Sequence, residues 1–197
     1  MRSFYFYIFV KIIRVKNLFL QYKPFFVFLM KFFLAYFLMT FIYNNYLMSY
    51  GEMKVDAITK LVARNTELVL QLFDKDSYII EDKPSQFVQL YYKNKYVARV
   101  IEGCNALSVM ILFAAFVFAF SGKWLKTILY ILTGCVIIHL LNVLRIAFLA
   151  MALYSYPEYE HVLHGVIFPL VIYAVVFILW VLWVQKFSDY ATGTPKK

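Results

Sequence analysis

The sequence predicts an all-α integral membrane bundle of about four transmembrane helices, carrying a small extracytoplasmic α+β insertion. Three observations lead there. The 197 residues are 63% hydrophobic, with a mean hydropathy of +0.70, whereas an ordinary soluble domain is roughly 45–50% apolar. So short a chain cannot hide that much apolar surface in a core of its own, and lipid is the cheaper surrounding. The apolar residues also gather into runs near the ~20 residues a crossing needs. Finally, the charges are sorted along the chain in a way that defines sides.

The four runs are about 25–43, 104–121, 126–153 and 162–184. The second is short and the third long. Residues 1–22 mix aromatics with Arg2, Lys11, Arg14 and Lys16. They read as an amphipathic segment on the cytoplasmic-side interface, with a fifth, tilted span as the alternative. No small-residue cleavage site of a secretory signal follows. Residues 23–187 form the membrane domain and 188–197 a cytoplasmic tail.

The insertion, 44–103, is the one sizeable polar region. Val55, Ile58, Leu61, Val62, Leu68, Val69 and Leu72 recur at helical spacing, which predicts an amphipathic helix over 52–73 lying against the bundle. Residues 77–81, 87–92 and 96–101 are rich in β-branched and aromatic types, and the break Lys93-Asn94-Lys95 predicts a hairpin.

Orientation follows from the excess of Lys and Arg in cytoplasmic loops. Lys23 joins the four basic residues before the first span, Lys123 and Lys126 mark the tight loop between the second and third, and Lys186, Lys196 and Lys197 close the chain. Loop 154–161 has no Lys or Arg and carries Glu158 and Glu160, and the insertion is balanced between acidic and basic residues. Both termini therefore face the cytoplasm. The net charge of +9 is topology, and no nucleic-acid partner is expected.

On this topology Cys104, Arg145, His161 and His164 arrive at one level near the outer face. An arginine among apolar neighbours is costly in lipid and should face the bundle interior or a wet cavity. Asn142, one turn earlier, shares its face. Cys104 follows Gly103 at a helix start, where the helix dipole favours thiolate. Either histidine suits acid–base work. Cys135, mid-span, reads as a packing residue, and His139 as a helix–helix hydrogen-bonding group. A thiolate, a fixed cation and a histidine make a kit for acyl transfer or hydrolysis. No zinc spacing, phosphate loop or dinucleotide fingerprint appears, so no metal or cofactor is expected.

The segments YKPFFVFLMKFF, EGCNALSVMILFAAFVFAF, NVLRIAFLA and HVLHGVIFPLVIY resemble the exosortase/archaeosortase family of membrane cysteine transpeptidases, in particular its short Bacteroidetes type. The resemblance implies Cys104 as nucleophile and Arg145 as its partner. A His-x-x-x-Gly pattern matches His161 and Gly165, while a His-Gly pair points to His164, and both stand. Many relatives have glycine where this chain has Ala106, a difference expected to narrow the approach of a substrate backbone. The implied task is to cut exported proteins near the outer end of a C-terminal sorting signal and to pass the new C-terminus to a surface acceptor. The implied site is the inner membrane, facing the outside. Two competing readings are a non-enzymatic assembly or channel subunit using Arg145 as interhelical glue and a transporter binding an anion there. The spans hold no Asp or Glu to pair with the arginine, and no internal repeat supports a transporter.

Overall fold

The computed structural model describes residues 20–51, 54–81, 87–120 and 122–188. The expected interfacial segment 1–22 and tail 188–197 lie almost wholly outside these residues.

Helix α1, Lys23–Met48, starts with a proline in its first turn, where the missing N–H costs nothing. Its face is largely exposed, with Ala35 and Tyr43 buried. It docks through aromatic rings: Phe28 lies 5.7 Å from Phe116 and 4.4 Å from Phe120, centroid to centroid.

Helix α2, Ala57–Gln71, is capped by Asp56, whose carboxylate accepts from the N–H groups of Ile58 at 2.9 Å and Thr59 at 3.0 Å. It lies against the bundle as expected, with Val55 and Val62 buried and Val69 packed on the core, but the buried stripe differs in part. Thr59, Val62, Ala63, Thr66 and Leu70 are buried, whereas Leu61, Leu68 and Leu72 are exposed. Two buried threonines explain the difference. Thr66 satisfies its hydroxyl on the Val62 carbonyl at 2.8 Å, so a polar residue occupies a core position that a hydrophobic pattern overlooks.

Strands β1 (Tyr78–Glu81), β2 (Phe87–Tyr92) and β3 (Lys95–Ile101) form an antiparallel meander in that order. The hairpin falls where expected: Lys93 and Asn94 both take positive φ, 52° and 59°, as a two-residue I′ turn requires. The pairing slips by one residue between Leu90 and Tyr91, a β-bulge. Val88, Leu90, Tyr92 and Val100 turn inward and share one core with Val62, Ala63 and Leu70 of α2.

Helix α3, Leu107–Ala119, has 13 residues, about 20 Å of helix against a ~30 Å hydrocarbon layer. The apolar run 104–121 is thus shorter as a helix than as a sequence. The reason is local. Asn105 accepts the Leu107 N–H on its side chain at 2.9 Å, and Ala106 is left-handed at φ 59°, so the chain turns before it can coil. Phe113, Ala115 and Val117 are wholly buried.

Helix α4, Trp124–Ser155, has 32 residues, about 48 Å. Its second half supplies Val143, Ile146, Ala147 and Ala150 to the core beneath the sheet. Its first half packs on α3, where Gly134 is obligatory: a Cβ there would overlap the ring of Phe113. The helical run α5, Pro157–Phe187, contains π turns at Leu163–Ile167 and Trp183–Phe187. It docks on α3 and α4 through Phe116 and Trp180, stacked at 4.4 Å, and through Tyr130, whose hydroxyl donates to the Leu179 carbonyl at 2.7 Å. Helices α1, α4 and α5 are each long and apolar enough to cross a membrane.

Candidate active site

Cys104 ends a short 3-10 turn, Glu102–Cys104, between β3 and α3. The turn is tied down from three helices. Asn105 is buried; its Nδ2 donates to the Tyr43 hydroxyl of α1 at 3.0 Å and lies 3.4 Å from Thr59 Oγ1 of α2. From α4, the wholly buried Asn142 donates Nδ2–H to the Cys104 carbonyl at 2.7 Å. Cys104 itself is half-buried.

Asn142 faces both ways. Its Oδ1 lies 3.5 Å from Arg145 Nη1, a long contact that orients more than it binds. Arg145 is half-buried, and its Nε is buried without a partner. No carboxylate among the described residues forms an ion pair with it; the ion pair they contain joins Lys60 and Glu81. A guanidinium so held has hydrogen-bonding capacity to spare for a ligand. Arg145 also lies roughly 30 Å along the axis from the N-terminal end of α4, about one hydrocarbon thickness. The remaining turns of α4 extend beyond that depth and carry the sheet.

Cys104, Arg145 and His164 line one cavity of about 430 Å³ between β3, α4 and the start of α5. Both histidines are exposed, and His161 stands outside that lining. His164 sits within the first π turn of α5. Such turns reset which side chains share a face, and they recur at functional sites. The two histidines, equivalent by spacing in the sequence, thus differ in the structure, since only His164 lines the cavity.

The remaining sequence assignments fall outside the cavity. Asn65 of α2 donates Nδ2–H to His139 Nε2 at 2.9 Å, which makes His139 the interhelical hydrogen-bonding group expected. Cys135 is half-buried against the core shared by α3 and α5. Ala106 is buried and is not among the residues that line the cavity.

Sequence reasoning missed Glu160, which lines the cavity with His164. Its signal was available: Glu160 precedes His164 by four residues, the spacing that puts two side chains on one helix face. It also missed the β3 wall. The described residues hold no cluster of His, Cys, Asp or Glu placed to bind a metal ion.

A family model described as transmembrane exosortase matches residues 5–182. No curated protein and no solved structure matches the chain.

Proposed function

The chain belongs to the transmembrane exosortase family, and on that premise we propose that it is a membrane cysteine transpeptidase or peptidase acting on the C-terminal sorting signals of exported proteins. The observation that carries the reading is the single cavity lined by Cys104, Arg145 and His164. His164 takes the thiol proton, and Cys104 Sγ attacks the carbonyl carbon of the scissile peptide. The Arg145 guanidinium stabilises the oxyanion. The C–N bond breaks as His164 returns the proton to the leaving amine. The thioester then yields its acyl group to the amine of a surface acceptor, or to water, and the thiol is restored.

The membrane geometry supports this chemistry. With both termini cytoplasmic, the cavity stands about one hydrocarbon thickness from the inner end of α4, at the outer face of the inner membrane. The bond between Asn142 and the Cys104 carbonyl holds the nucleophile at that level. The short α3 and its flanking turns then lead back to the cytoplasmic side as the fourth membrane element. A substrate anchored by its own helix would meet the cavity where that helix leaves the bilayer. The test is a Cys104→Ala strain, in which exported proteins are expected to accumulate with intact C-terminal tails, read by mass spectrometry. Normal tail removal in that strain would overturn the proposal.

A further inference from the structure

The cavity is walled on one side by six consecutive residues of β3, Tyr96 to Ile101. Side chains alternate between the two faces of a strand, so a cavity opening onto a sheet face meets every second residue. One that meets six in succession runs along the strand's edge. β3 is an edge strand, bonded to β2 on one side and, among the described residues, to no strand on the other. A free edge presents a row of backbone donors and acceptors. Its sequence, KYVARVI, contains no proline to blunt it, and its last residue leads directly into the turn that carries Cys104.

We propose that the free edge of β3 receives a short extended peptide as an added strand, which sets one of its carbonyls beside Cys104. This rests on the proposed peptide substrate and supplies its mode of binding. The occupant is argued from continuity: the same cavity that exposes the β3 edge also exposes the thiol, the guanidinium and His164. The backbone chemistry points the same way. A peptide unwinding from a membrane helix where it leaves the bilayer frees N–H and C=O groups, and each needs a partner. Strand addition supplies those partners without reading side chains, while the alternate side chains remain free to be selected.

The experiment is photocrosslinking in cells, using the full chain with Cys104→Ala and p-azidophenylalanine in place, one at a time, of the exposed Tyr96, Arg99 and Ile101, with adducts mapped by mass spectrometry. Strand pairing predicts adducts to C-terminal segments of exported proteins, with the crosslinked substrate position moving steadily in one direction as the probe moves from Tyr96 to Ile101. Adducts to lipid alone, adducts to another segment of this chain, or substrate adducts without that ordered shift would overturn the pairing. The two proposals fail separately. Uncut tails with unordered adducts remove only strand addition. Ordered adducts with normally processed tails keep the binding edge and remove the Cys104 chemistry.

Discussion

Asn142 on α4 donates to the backbone carbonyl of Cys104, 38 positions earlier in the chain, at 2.7 Å. The oxygen of the same amide faces Arg145. One buried side chain thus fixes the Cys104 turn relative to the Arg145 guanidinium, a job neither residue does for itself. Asn142→Asp separates these two roles. A carboxylate still accepts from Arg145 but cannot donate to the carbonyl. The lost bond should cost about 1 kcal/mol of stability, and the freed turn should slow tail removal by about tenfold or more, since small displacements of a reacting group are costly. Chain abundance and processing rate, measured together in membranes, check this. Full-rate processing by Asn142→Asp would show that the turn is held by other contacts.

Arg145 separates an enzymatic role from a structural one. Its Nε is buried and unpartnered, and no carboxylate among the described residues forms an ion pair with it. A half-buried cation held this loosely contributes little to stability and can oppose it. Arg145→Leu is therefore expected to abolish tail removal while leaving the melting temperature in detergent unchanged or raised. A fall of several degrees instead, corresponding to about 1 kcal/mol or more, would favour the reading of Arg145 as interhelical glue.

Much of this site was legible in the sequence because membrane charges are expensive. Arg145 stood out among apolar neighbours, and the span ends brought Cys104 and the histidines near it in sequence terms; the structure joins Cys104, Arg145 and His164 in one cavity. The hairpin was legible because Lys93-Asn94 breaks two β-rich runs. Three features were not, each for a physical reason. The buried stripe of α2 includes Thr59 and Thr66, which a hydrophobic count scores as surface. The π turn at Leu163–Ile167 has no composition of its own, so the histidines kept an ordinary helical phase. The open edge of β3 is a property of strand order, and strand order is not written in any one strand.

The histidines give a clean comparison. His164 lines the cavity and His161 does not. General acid–base catalysis contributes roughly 10²–10⁴ in rate. His164→Ala should therefore slow tail removal by at least about a hundredfold, whereas His161→Ala should stay within about threefold of the parent, under 1 kcal/mol. Single-turnover assays on membranes resolve the two. The reverse ranking would mean that the start of α5 rearranges when substrate binds.

Ala106 tests how the turn before α3 is built. Its φ of 59° is left-handed, which costs an L-residue roughly 1–2 kcal/mol. Glycine would relieve that strain, but it would also give up a buried methyl, worth about 0.8 kcal/mol, and free the unfolded chain by about 0.4–1 kcal/mol. These effects nearly offset, so Ala106→Gly should shift stability by less than ~1 kcal/mol and leave processing intact. A β-branched residue has no such balance, because positive φ is a genuine outlier for it. Ala106→Val should lower the melting temperature well beyond Ala106→Gly and displace Asn105, whose side chain caps α3 and reaches Tyr43. Thermal melts of the two variants in one detergent decide the point: equal melts would show that the turn can adopt another backbone conformation without loss.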